Sequence, residues 1–250
     1  MTAGTHEIIM PARFCGPPGS ANGGYACGLV ATRIARPVVV RLLRPPPLDR
    51  PLSLQSLPDG TWGVDCDGQR CIEARPSGPL QLAIPDSPGY VIALDASLHG
   101  PDLHDHPCPG CFVCGPARRR GDGLRLFAGP VPGGETVAAA WLPDASLPQV
   151  DGKITPEIIS AALDCPGFHA LRTGSRMWLL GEFAAHIDRL VHVEEPCVIV
   201  GWKIAAQGRK ATVGTALFDE DGELCAWARG TWIEPRTGDA SAAPQQIPAE

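Results

Sequence analysis

Asp164 is the only acid between Ile158 and Leu171, in the run SAALDCPGFHAL. A carboxylate among apolar neighbours loses hydration, which raises its pKa and suits it to general-base or nucleophilic work. A plainer reading stands beside this one. Asp before Cys165-Pro166-Gly167 is a good helix start, so the side chain would simply cap the next turn. Glu157, seven residues earlier and on roughly the same helical face, is the other candidate acid. It is equally a first-turn residue favoured by the helix dipole. The second chemical feature is Ser20-Ala21-Asn22-Gly23-Gly24. Gly23 and Gly24 at a helix start would let a carbonyl or oxyanion reach bare N–H groups, with Asn22 placed to orient a water. A tight loop entering a helix is the alternative.

Cys108, Cys111 and Cys114 are spaced like metal ligands, and His106 could complete a set of four. No second Cys-x-x-Cys follows, so the expectation is no metal and a packed cysteine turn. Arg118 and Arg119, with Arg120, and the pair Arg209-Lys210 are the basic clusters. They would clamp a phosphate-bearing ligand or form solvated loops. His169 and His186 read as ordinary, partly buried histidines.

Elements that could position these groups are legible from pattern. A helix is expected over Gly23–Arg36, capped by Asn22, and another over Pro156–Asp164, capped by Thr155 with Pro156 at its first position. Strands are expected at His6–Met10, Val38–Arg44, Leu52–Leu57, Thr61–Cys66 and Arg70–Ala74. A second set follows at Leu124–Phe127, Thr136–Trp141, Leu179–Ile187, Cys197–Ala205, Ala211–Phe218 and Glu223–Ile233. Asp59-Gly60, Asp67-Gly68, Gln207-Gly208 and Asp221-Gly222 supply turns. Helix, strand, proline-bearing loop and three further strands occur in the same order twice, a weak internal duplication. One buried helix followed by an antiparallel meander is an α+β pattern. The Pro/Gly/His-rich stretch Asp86–Pro107 holds a short linker helix, Tyr90–Leu98. The division is 1–90, a linker at 91–107, 108–236, and a disordered tail at 237–250.

The 250-residue chain carries net charge −6 and is 44% hydrophobic, so wholesale disorder is excluded. Its acidity argues against a nucleic-acid partner. Its apolar runs are too short to cross a membrane, and its start lacks signal-peptide features, which implies a cytoplasmic protein. Ten cysteines in 250 residues, mostly within apolar runs, read as reduced. No nucleophile elbow, Walker A, His-Glu-x-x-His or dinucleotide fingerprint occurs.

RFCGPPGSANGGYACGLVA followed by VVVRLLRPPPLDRPL resembles the amino-terminal half of hot-dog-fold acyl-CoA thioesterases of the double-hot-dog type. CFVCGPARRRGDGLRLF resembles the opening of PaaI-like thioesterases. ALDCPGFHAL and QGRKATVGTALFDEDGELCAWARGTWI resemble that group's central helix and last two strands. The resemblance spans about residues 10–235. It implies a double hot-dog: two central helices, each wrapped by a curved antiparallel sheet, packed as a pseudo-dimer. It also implies thioester hydrolysis without metal or cofactor, on acyl-CoA or a carrier-bound acyl group, in a protein that further associates into homo-oligomers.

In the PaaI-like pattern a His-Gly-Gly opens the helix and the acid lies nine residues after the His. Nine residues after Asn22 stands Ala31, and nine before Asp164 stands Thr155. The first half therefore has the glycines without the acid, and the second the acid without the glycines. One composite site is expected: a Gly23 or Gly24 N–H on the carbonyl oxygen, Asp164 as base or nucleophile, and the cations on the coenzyme. An acyl-CoA binder without catalysis is the alternative on the same scaffold. A hot-dog dehydratase is weaker, because no histidine stands in either expected helix core.

Overall fold

The computed structural model of the chain describes residues 6–100, 103–172 and 176–236. The expected tail at 237–250 lies outside them. β1 (His6–Ile9) leads through a short 3-10 turn, Ala12–Phe14, to α1 (Gly23–Ile34). β2 (Val38–Leu42), β3 (Pro51–Ser56), β4 (Trp62–Cys66) and β5 (Gln69–Pro76) follow. After α2 (Tyr90–Leu98) come β6 (Gly129–Pro130), β7 (Val137–Trp141), β8 (Gln149–Val150) and β9 (Lys153–Ile154). α3 (Pro156–Ala162), α4 (Cys165–Ala170), β10 (Leu179–Ile187), β11 (Cys197–Gln207), β12 (Lys210–Phe218) and β13 (Leu224–Ile233) complete the described elements.

Eleven strands form one sheet in the order β1-β3-β4-β5-β2-β10-β13-β12-β11-β7-β6. From the middle outward, each side runs post-helix strand, last, third and second strand of the meander, then the strand before the helix. The join is the antiparallel contact of β2 with β10, Arg41 opposite Glu182 and Val40 opposite Phe183. The turns obey their residues: Gly60, Gly68, Gly208 and Gly222 all take the positive φ that hairpin turns require.

Asn22 caps α1 as its type predicts, its side chain accepting from the Tyr25 N–H at 2.9 Å. The helix stops at Ala35, which is left-handed (φ 57), just before Pro37. The expected second helix, Pro156–Asp164, ends at Ala162, and a separate helix, α4, follows it. Pro166 has no N–H to offer the Ala162 carbonyl, so the α-ladder breaks and restarts at Cys165. Thr155 sits at the start of α3 but makes no capping bond. Its hydroxyl is buried with no partner among the described residues. Leu124–Phe127 is not a strand. Arg125 has φ 56, and the segment bonds instead to the loop before it, Leu124 and Leu126 N–H donating to the Phe112 and Val113 carbonyls.

Alternation along β7, β11 and β12 places two layers on the second half of the sheet. Val137, Ala139, Ile199 and Leu217 enter the main core with α1, α3 and α4. Ala138, Val198, Val200, Ala216 and Phe218 face the other way and bury Ala93 and Ala96 of α2. The linker helix is thus packed on the sheet of the second half. No described helix is long and apolar enough to cross a membrane.

Candidate active site

α1 approaches α3 closely at its glycines. A Cβ on Gly24 would lie 2.5 Å from the Ser160 carbonyl oxygen and 2.6 Å from the Asp164 Cβ, and one on Gly28 would lie 2.5 Å from the Ser160 Cβ. This close approach brings Asp164, in the break between α3 and α4, onto the start of α1. Asn22 Nδ2 donates to Asp164 Oδ2 at 2.8 Å, and the Gly24 N–H donates to the same oxygen at 3.0 Å. Oδ1 is buried with no partner among the described residues. Burial pushes the carboxyl up to about 7, against the downward pull of the Gly24 and Asn22 donors. The capping reading fails, because Asp164 is itself helical (φ −81, ψ −73) and its side chain makes no cap bond.

The carboxylate borders a cavity of about 690 Å³ lined from both halves of the chain, within the range of ligand pockets. Asn22, Gly23 and Leu42 come from the first half; Phe168, Met177, Trp178, Leu180 and Trp232 supply an apolar wall from the second. Trp178 Nε1 is buried and unpartnered among the described residues. Cys108, Cys111, Cys114 and Cys165 lie along the same cavity with His106. The sulfur that joins Cys111 and Cys114 is Cys165, and Cys108 stands outside that cluster.

Several expected roles change in the fold. Gly24 does not bind a carbonyl, because its N–H is occupied by Asp164 and its missing side chain admits α3. Gly23 does line the cavity, half-buried at the first position of α1. Asn22 holds the carboxylate rather than a water: Nδ2 donates to Asp164 and Oδ1 accepts from Tyr25. Glu157 packs beside Gly28 and does not border the cavity, which removes it as the alternative acid.

Among the cations, Arg209 lines the cavity, its Nη1 donating to the Glu234 carbonyl at 2.9 Å. Lys210 does not line it. Arg118 is an internal brace, bonded to Asp122 at 2.9 Å, the Gly110 carbonyl at 2.8 Å and the Cys15 sulfur at 2.9 Å. Arg119 is exposed away from the cavity. Arg44 and Arg236 border the cavity instead. Residue type alone could not have found them, since each is an isolated arginine beside prolines.

No family model matches the chain, and no curated protein matches it in sequence. Solved structures do match it in shape. The chain is similar to the tesB protein of Mycobacterium avium subspecies paratuberculosis at TM-score 0.58 and 17% identity, covering 93% of each chain. It is similar to the acyl-CoA thioesterase II TesB2 of Mycobacterium marinum at TM-score 0.60 and 12% identity, covering 94% of each. A protein from Alicyclobacillus acidocaldarius described as having a hot dog fold matches at TM-score 0.53 and 10% identity, over 93% of each chain. With the antiparallel sheet and its central helices, these matches establish that the chain has the hot-dog fold.

Proposed function

We propose that the protein hydrolyses an acyl thioester, of coenzyme A or of a carrier, with Asp164 as general base, and that its two halves are hot-dog units packed as a pseudo-dimer. The duplicated strand order about the β2–β10 join supports the second part. The observation that carries the first is a buried carboxylate held on one oxygen by Asn22 and Gly24, at the edge of a cavity lined from both halves. Asp164 takes a proton from a water, and the oxygen of that water attacks the thioester carbonyl carbon. The carbonyl oxygen rests on the Gly23 N–H at the positive end of α1. The C–S bond then breaks, the acid departs, and the thiolate recovers the proton from Asp164. The apolar wall around Phe168, Trp178 and Trp232 receives the acyl group, and Arg209 at the rim receives phosphate. Two neighbours in shape are a tesB protein and an acyl-CoA thioesterase II, in keeping with this chemistry.

The test is thiol release from short, long and aromatic acyl-CoAs by the wild type and Asp164→Asn. The amide can still accept from Asn22 and Gly24, so folding is retained. Turnover falls about 10²–10⁴-fold if the carboxylate is the base. Equal turnover in the two proteins, or none in the wild type while acyl-CoA still raises the melting temperature, overturns the reading; the second result leaves a binder.

A further inference from the structure

Two separate pieces of chain converge beside Asp164. The loop from Cys108 to Gly115 presents Cys111 and Cys114, and α4 presents Cys165 and His169, which at spacing i and i+4 share one helical face. The sulfurs of Cys111, Cys114 and Cys165 lie within 4.8 Å of one another, and a ring nitrogen of His169 lies within 4.8 Å of the Cys114 sulfur. Cys111 and Cys165 are 3.7 Å apart. Two sulfurs bound at about 2.3 Å to a tetrahedral zinc are separated by about 3.8 Å.

The loop turns tightly after Cys114. The Gly115 N–H donates to the Cys111 carbonyl at 2.9 Å. A Cβ on Gly115 would lie 2.4 Å from that oxygen, so the turn after Cys114 closes only on glycine. Asn22 Nδ2 stands 3.9 Å from the Cys165 sulfur. All four side chains are at least nine-tenths buried. His169 Nε2 has no partner among the described residues, although buried imidazole nitrogens are ordinarily paired. Plain packing of thiols as small apolar groups accounts for the sulfurs, but not for that nitrogen.

We propose that Cys111, Cys114, Cys165 and His169 bind one Zn²⁺ in a closed Cys₃His site that ties α4 to the 108–115 loop. Three thiolates and one imidazole are a standard structural zinc set. With four protein ligands the ion has no open position, so its role is to fix α4 and, through Cys165, its chain neighbour Asp164. His106 serves the site without joining it. Its Nδ1 accepts the Cys108 N–H at 3.1 Å, so in the neutral ring the proton sits on Nε2. That nitrogen is buried and unpartnered among the described residues, and the ring lies in the same group as Cys114 and His169. Its N–H is therefore the donor that a Cys114 thiolate calls for.

The experiment is metal analysis of the full chain purified under reducing conditions from zinc-supplied cells, followed by titration of the stripped protein with Co²⁺ and then Zn²⁺. One metal per chain is expected, with the visible spectrum of tetrahedral Co²⁺, a sulfur-to-cobalt charge-transfer band, and displacement by Zn²⁺. Cys108→Ala and His106→Gln keep one equivalent; Cys114→Ala and His169→Ala lose at least about tenfold in Zn²⁺ affinity. A wild type that neither carries metal nor takes up Co²⁺ or Zn²⁺ overturns the site, whatever the variants do. Unchanged affinity in folded His169→Ala or Cys114→Ala overturns it too. None of these readouts depends on thioester hydrolysis.

Discussion

Asn22 Nδ2 and Asp164 Oδ2 meet at 2.8 Å across 142 residues of sequence. The pair joins the N-cap of α1 to the break between α3 and α4, and it is buried on both sides. Asn22 does two things at once, accepting from the Tyr25 N–H and donating to the carboxylate. Asn22→Ala removes both the cap and a donor to a buried acid, and is expected to cost about 2–3 kcal/mol in denaturant unfolding. Asn22→Asp restores the cap acceptor but sets a second carboxylate against the first. Asn22→Ala and Asn22→Asp should both lower turnover, whereas Asn22→Gln keeps part of it.

The glycines of α1 are packing residues, and substitution separates them from turn glycines. Gly24→Ala and Gly28→Ala drive a methyl group into Ser160 and, at Gly24, into Asp164. Each is expected to destabilise by about 2–3 kcal/mol as α1 and α3 are forced apart. Gly134→Ala meets nothing closer than 3.6 Å and has no positive φ, so it should be neutral or stabilise by up to about 1 kcal/mol. Chemical denaturation of the three variants reads this directly.

Arg209 and Arg119 carry the same charge at different places, one bordering the cavity and one away from it. With acyl-CoA as substrate, Arg209→Ala is expected to raise KM about tenfold, the equivalent of about 1.4 kcal/mol of binding, with kcat little changed. Arg119→Ala should leave both constants alone. Similar KM values for the two variants would remove Arg209 from the substrate site.

Tyr25 stacks on Phe14 with ring centroids 4.2 Å apart, and burial, with Glu157 nearby, raises its hydroxyl from 10.0 to about 12. The unfolded chain therefore gives up this proton first. The contribution of Tyr25 to stability is complete below pH 10 and is lost as pH climbs from about 10 to about 12. Tyr25→Phe keeps the stack and removes the ionisation. Its unfolding free energy should fall less steeply than that of the wild type across that window.

Much of this architecture was readable from pattern. The helix at Tyr90–Leu98 and the strand at Leu179–Ile187 have the expected limits, because local apolar period and flanking turn residues act within a few positions. Asp164 stood out as the lone acid of an apolar run, and Asn22 as a cap. The segment Leu124–Phe127 misled, since its alternating apolar residues suggest a strand while Arg125 turns left-handed. Arg118 misled in another way: in sequence it is one of three adjacent arginines, yet in the fold it is drawn inward onto Asp122 and Cys15.

The sequence by itself determined which residues have the chemistry: a carboxylate in apolar surroundings, a glycine-rich helix start, thiols at knuckle spacing, and two similar runs of elements. Only the tertiary structure decided which of them meet. Gly24 reads as a ligand contact until α3 lies against it, and Cys165 and His169 read as core residues until α4 turns them toward Cys111 and Cys114. The reason is physical. Local propensity acts over a turn or a hairpin, whereas these meetings depend on the close approach of α1 to α3 and on the pairing of β2 with β10. Both join residues more than a hundred positions apart, through shape and burial that no short stretch of sequence encodes.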